Sequence, residues 1–211
     1  PETYGKTNTN WLDIAFEDSR MAKHNLAFTG GGEQGNYYLD LTYLDNDGIV
    51  KGKNDTYQRM TATVNAEYNI KPWLKVGTTN HIEKYNVRNV SSQNAYGSFL
   101  QAVLMMDPFT PDTYASDQLP THMKNALSQG STLLKDENGR YYGSSLFYVG
   151  ENYHPTVMRE SNISRNSGFN VNGSIYADFK PIKGLTVTSR FGYLLGGKRS
   201  STTNLPFYGN T

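Results

Sequence analysis

The sequence contains no cysteine. That excludes disulfides, thiol catalysis and cysteine-based zinc sites. It also lacks any run of about 18 apolar residues, so no transmembrane helix is encoded. An excess of either charge is missing too. Lys and Arg number 20 against 19 Asp and Glu, a formal net charge of +1. No basic run suggests a nucleic-acid partner. Leu, Ile and Val are sparse, and the hydrophobic fraction is only 36%. What is abundant is Tyr (16), Phe (9) and Gly (20), with many Asn, Ser and Thr, over 211 residues. This composition suits strands and turns, and it is too aromatic and too periodic for disorder. The missing transmembrane helix leaves a membrane barrel open, because barrel strands alternate apolar and polar residues and average out as hydrophilic.

Alternation is the dominant pattern. His24, Leu26 and Phe28 alternate with Asn25, Ala27 and Thr29. After the Gly-rich reversal GGGEQG, Tyr37, Leu39, Leu41 and Tyr43 form one face, and Tyr38, Asp40 and Thr42 the other. Met60, Ala62, Val64, Ala66 and Tyr68 oppose Arg59, Thr61, Thr63, Asn65 and Glu67. Leu74, Val76 and Ile82 oppose Lys75, Thr79, His81 and Glu83. Later, Phe169, Val171, Ile175 and Phe179 oppose Asn170, Asn172, Tyr176 and Asp178, and Leu185, Val187, Phe191, Tyr193 and Leu195 oppose Thr186, Thr188 and Arg190. The reading is all-β, with about six strands in three hairpins.

The clearest strands run about 9 to 13 residues, which is long for a soluble sheet and matches a tilted bilayer span. Reversals near residues 32, 70 and 182 are short, whereas the opposite connections are longer and one is very long. That asymmetry is typical of outer-membrane barrels. Tyr37, Tyr43, Tyr68, Trp73, Phe179 and Tyr193 fall near strand ends, as interfacial girdles do. Alternation does not say what lies beyond the apolar face. A bilayer and the second sheet of a soluble sandwich both fit it.

Little in the sequence carries chemistry. His24, His81, His122 and His154 are scattered, with no metal-ligand spacing. Asp45-Asn46-Asp47-Gly48 is a turn without the later bidentate Glu of a calcium loop. GGGEQG precedes a strand, so it is no nucleotide-binding loop. The expectation is no catalytic residue, no metal site, no cofactor and no enzyme. Residues 89 to 166 carry Tyr96, Phe109, Tyr114, Tyr141, Tyr142, Phe147, Tyr148 and Tyr153. Such aromatics stack on sugars or peptides, and equally anchor loops on each other. No single ligand-binding residue is assigned. One helix is expected in SFLQAVLMMDPF, with Phe99, Val103 and Met106 on one side, stopped at Pro108.

The words within this pattern carry a resemblance. HNLAFTGGGEQGNYYLDLTYLDNDGIVKG resembles a barrel hairpin of the SusC/RagA-type TonB-linked outer-membrane transporters of Bacteroidetes. YQRMTATVNAEYNIKPWLKVGTT, LMMDPFTP, DENGRYY and YADFKPIKGLTVTSRFGY resemble later segments of that family in the same order, and NWLDIAF resembles the lead-in to the first hairpin. The resemblance implies an antiparallel transmembrane barrel of about twenty-two strands around a plug, of which these strands are a part and the plug is absent. It also implies import of glycans or peptides, a SusD-like surface lipoprotein, TonB in the periplasm, outer-membrane lipid around the wall, and no nucleic acid. Pro1 without an initiator Met, and an end at Thr211 after a strand-like segment, set the expectation of a piece of a longer chain. The expected organisation is a loop over 1–20, two hairpins over 21–88, a long extracellular loop over 89–166, a hairpin over 167–197 and the start of the next loop over 198–211. The other readings are a soluble, secreted carbohydrate-binding β-sandwich and, after it, a simple porin.

Overall fold

The computed structural model describes residues 6–90, 98–145, 147 and 154–207. Six long antiparallel strands form one sheet: β1 (Arg20–Gly32), β2 (Gly35–Asp47), β3 (Thr56–Lys71), β4 (Leu74–Val90), β7 (Asn162–Ile182) and β8 (Leu185–Asn204). Their spatial order is β1-β2-β3-β4-β7-β8, so every neighbour in sequence is a neighbour in space. A second, two-stranded sheet pairs β5 (Thr113–Tyr114) with β6 (Tyr141–Tyr142). Four short helices complete the chain: α1 (Trp11–Ala15), α2 (Phe99–Met105), α3 (Thr121–Ser128) and α4 (Pro155–Ser161).

The three hairpins close through Glu33-Gln34, Pro72-Trp73 and Lys183-Gly184, all at one end of the sheet. Gly184 has φ +88°, which a side chain would strain. At the other end, β2 joins β3 through residues 48–55, and β4 joins β7 through the segment that carries α2, β5, α3, β6 and α4.

Register fixes the faces. Leu39, Val64, Asn80, Gly173 and Tyr193 lie in one cross-strand row, and Leu26, Leu41, Ala62, Ile82, Val171 and Leu195 form the next. This face is apolar and open: Leu26 is 63% exposed, Phe191 68% and Leu195 60%. Along β7 the band runs from Phe169 to Phe179. That is roughly 33 Å of strand, or about 24 Å of height at a 45° tilt, close to the apolar band of a membrane barrel.

Buried apolar side chains are gathered elsewhere. Trp11 and Ala15 of α1, Phe99, Ala102 and Val103 of α2, Met106, Met158 of α4 and Val90 at the end of β4 form one cluster, with Ile14, Phe16 and Val50 against it. This cap sits at the end of the sheet opposite the tight turns. Within α2, Phe99 and Val103 face inward as their helical spacing requires, and Ser98 caps the helix by accepting from the Gln101 amide at 3.1 Å.

The strands outrun the boundaries read from the sequence. β7 begins at Asn162, inside the segment expected as loop to 166, and β8 continues to Asn204, past 197. Segment 1–20 holds the short α1, and 89–166 holds the helix expected after Ser98 together with two further helices and the small β5–β6 sheet. In Asn162–Gly168 and Lys198–Asn204 both faces are largely polar, so backbone pairing continues where side-chain alternation has stopped. Tyr193 also departs from expectation. It stands in the central row of the apolar band, not in a girdle.

Candidate functional site

The face of the sheet opposite the apolar band is a continuous polar surface. Asn25 Nδ2 donates to Asp40 Oδ2 at 2.6 Å and to Thr42 Oγ1 at 2.7 Å. Thr63 Oγ1 lies 3.1 Å from His81 Nδ1. Asn170 Nδ2 donates to Glu83 at 3.1 Å, and Arg59 approaches the same carboxylate at 3.8 Å. Nearest the tight turns, Glu67 collects three partners: Lys75 Nζ at 2.5 Å, Asn36 Nδ2 at 2.8 Å and the Tyr176 hydroxyl at 3.1 Å. The Tyr176 ring lies over Gly77, where a Cβ would overlap it, and Arg190 stacks on the ring at 5.1 Å. A side chain at 77 would push the ring off its carboxylate partner. These residues come from all six strands, so the network ties the hairpins together across the polar face.

One polar thread crosses the apolar face. The Tyr193 hydroxyl donates to Asn80 Oδ1, Asn80 Nδ2 donates to Thr78 Oγ1 at 2.8 Å, and Thr78 Oγ1 donates to the Ser174 carbonyl at 3.1 Å. Gly173, between Asn80 and Tyr193 in the row, leaves room for the ring and the amide. Each polar atom placed in an apolar setting is thereby hydrogen-bonded, as burial away from water requires.

The cap is stapled by Asp107. Its Oδ1 accepts from the amides of Phe109 and Thr110, each at 2.9 Å, and its Oδ2 accepts from the hydroxyls of Thr110 and Ser145. The Asp107 carbonyl accepts from Trp11 Nε1 at 2.7 Å. The Asp-Pro pair marks a turn in the sequence, and its bonds to Phe109 and Thr110 are local to that turn, but Ser145 and Trp11 are remote and no sequence signal names them. His154 is buried in the same cap. Its Nδ1 accepts from the Thr156 amide at 3.1 Å, Nε2 lies 3.0 Å from Asp112 Oδ1, and Trp11 meets the ring edge-on at 5.0 Å.

The loop aromatics divide. Tyr114, Tyr141 and Tyr142 are half-buried in the cap, with Lys135 4.4 Å above the Tyr141 ring and His154 tilted against Tyr142 at 5.0 Å. Burial pushes the Tyr142 hydroxyl up to about 12, with Glu160 adding to the shift. Phe109 and Phe147 are exposed and meet edge to face at 5.8 Å. Tyr96, Tyr148 and Tyr153 lie outside the described residues. His24 and His81 lie on opposite faces of the sheet, and His122 and His154 lie in the cap. Among the described residues, no group of three or more potential metal ligands comes together. Asp45 to Asp47 continue β2, and Gly48 turns the chain by donating to the Asp55 carbonyl at 2.7 Å.

No protein-family model matches the chain. Among curated proteins, the TonB-dependent receptor P39 of Formosa agariphila is 26% identical over 181 residues, covering 84% of this chain and 16% of that protein. The TonB-dependent receptor SusC of Bacteroides thetaiotaomicron is 30% identical over 115 residues, 53% of this chain and 11% of SusC. Among solved structures, that of the RagAB peptide transporter superposes with a TM-score of 0.68 at 21% identity, over 97% of this chain and 21% of that one. The chain is similar in sequence and in fold to part of the SusC/RagA-type TonB-dependent receptors. It spans about one-sixth of the length of the first curated relatives. The fold it shares with the solved structure is an antiparallel segment of β-barrel wall, here with one open apolar face and one polar face.

Proposed function

We propose that this chain forms wall strands and an external cap of an outer-membrane, TonB-dependent importer of the SusC/RagA type, which takes up glycans or peptides. One observation carries the reading: a band of exposed apolar side chains, about as tall as a bilayer core, on a sheet whose other face is a hydrogen-bonded polar network. In water such a band would be an aggregation site; in lipid it is the required outer surface. The outer edges of β1 and β8 have no partner strand among the described residues, and lipid does not tolerate open edges. Further strands of the importer close them.

In this arrangement the tight turns face the periplasm and the cap faces outward. The polar face lines the lumen, where Asp40, Glu67, Glu83 and Arg59 meet solvent or plug. The exposed Phe109–Phe147 pair offers a stacking surface to a sugar ring or an aromatic peptide side chain. The cap is also where a SusD-like lipoprotein would dock, while TonB acts through parts of the importer beyond this segment. The chain's own role is passive: it walls, lines and shapes, and carries out no bond chemistry. The soluble sandwich reading requires a second sheet on the apolar face, and among the described residues none packs there.

The test is the native protein itself. A chain several times longer than this segment, folded only in detergent and copurifying with a surface lipoprotein, is the expected result. A folded, monodisperse protein in plain buffer would overturn the reading.

A further inference from the structure

Just beyond the apolar band, on the same face and at the cap end, three arginines converge. The last row of the band holds Tyr43, Met60 and Phe169, with Lys84 between the last two. Two rows further along, Arg88 stands directly opposite Arg165. Arg199, opposite Ser167, is the diagonal neighbour of Arg165 on the next strand. Together with Lys53 from the β2–β3 connection they line a depression of about 720 Å³, whose only carboxylate is Asp47. Like charges directly opposite on a sheet repel at about 5 Å. Yet none of the three guanidinium groups makes an ion pair or hydrogen bond with another described residue. All three are exposed. The arrangement sets concentrated positive charge against a single carboxylate, Asp47, which stands two strands from Arg88 in the same row and pairs with none of the three.

We propose that this depression binds the phosphate-bearing headgroup of a lipid in the outer leaflet. The proposal rests on the membrane reading above and goes beyond it. Position argues for a lipid over a soluble anion. The cluster faces the bilayer side of the wall, not the lumen, and lies from about 7 Å (Arg199) to about 13 Å (Arg88 and Arg165) along the strands beyond the last aromatic row, about 5 to 9 Å of height at a 45° tilt, which is headgroup depth. Acyl chains anchored there would run down Met60, Ile82 and Phe169. Chemistry argues for phosphate, because guanidinium forks bind phosphate oxygens in pairs, and basic clusters at the membrane surface recognise anionic headgroups.

The test uses the full-length receptor, purified in detergent and stripped of native lipid. Micelles carry either lipid A with its phosphates or the same lipid A dephosphorylated, and bound lipid is counted by native mass spectrometry. The parent protein is expected to hold the phosphorylated form preferentially. The triple variant Arg88→Ala, Arg165→Ala, Arg199→Ala should bind it at least roughly tenfold more weakly. Folding is checked independently by heat-modifiable migration in gels. If the triple variant does not fold, Arg199→Ala alone decides, with a severalfold loss expected. Equal binding of both lipids, or undiminished binding by the folded variant, overturns the proposal. So does displacement of the lipid by excess inorganic phosphate, which would assign the cluster to a soluble anion. Loss of a copurifying lipoprotein with lipid binding unchanged would assign it to that partner and overturn it equally. A receptor that stays monodisperse without detergent fails the membrane reading before any lipid is added.

Discussion

In the cap, apolar side chains are buried: Trp11, Ala15, Phe99, Val103, Met123 and Met158 are each less than a tenth exposed. In the six-stranded sheet, the only buried apolar side chain among the described residues is Val90, where β4 enters the cap. The same chain thus builds one region on the rule of soluble proteins and the other on its inverse. The cap is held by hydrophobic burial and by the Asp107 staple. The sheet is held by backbone pairing and by hydrogen bonds among polar side chains, and its apolar face is left open, for lipid to cover in the proposed setting. Each region should therefore fail in its own way.

The largest effect is expected in the cap. Trp11→Ala removes the side chain that joins α1 to His154 and to the Asp107 carbonyl. Such deletions cost about 3 to 5 kcal/mol. Hydrogen exchange should show α2 and α4 opening while β3 and β7 keep their protection. Equal loss in both regions would mean that cap and sheet fold as one unit.

Next comes a pair of substitutions one residue apart in β3. Val64→Arg places a cation in the central row of the apolar band and should cost about 2 to 4 kcal/mol and lower the yield in the outer membrane. Thr63→Arg points to the polar face, beside Asp40 and His81, and should be tolerated. Equal tolerance of the two would reverse or abolish the assignment of faces. Smaller still is Tyr193→Phe. It strips Asn80 Oδ1 of its donor on the apolar side, an unmet acceptor that costs about 1 to 3 kcal/mol. Adding Asn80→Leu to it should recover part of the loss. Additive losses in the double variant would show that the thread contributes nothing as a unit.

The two regions also differ in how far the sequence discloses them. Period-two alternation marks Leu39, Val64, Ile82, Val171 and Leu195 because one face must be apolar along the whole band. Past the band nothing forces alternation, so the ends of β7 and β8 are silent although their backbones stay paired. In the cap, α2 is legible through Phe99, Val103 and Met106. By contrast α4 buries Pro155, Thr156, Val157 and Met158 in succession, which leaves no helical period to read. The reach of Asp107 to Trp11 and Ser145, the partners of Glu67 and the arginine cluster join residues far apart in sequence, which only register and tertiary folding bring together. The loop aromatics looked alike in the sequence; packing separates the half-buried Tyr114, Tyr141 and Tyr142 from the exposed Phe109 and Phe147.

The smallest expected effect is a pH dependence confined to the cap. His122 lies in α3, and burial pushes its pKa below the ordinary histidine value, with the Ser144 backbone partly opposing the shift. When a base has a lower pKa folded than unfolded, the unfolded state binds more protons between the two values, so stability rises with pH in that window. Its contribution is complete above the ordinary value of about 6.5 and falls as pH drops toward the lowered one. Hydrogen exchange of α3 should therefore speed up, relative to that of β3, between about pH 7 and pH 5 after correction for intrinsic rates. His122→Gln should remove that relative change while leaving the sheet as it was. If α3 loosens equally in the variant, the acid sensitivity of the cap comes from its carboxylates, and the pairing of His154 with Asp112 becomes the next contact to break.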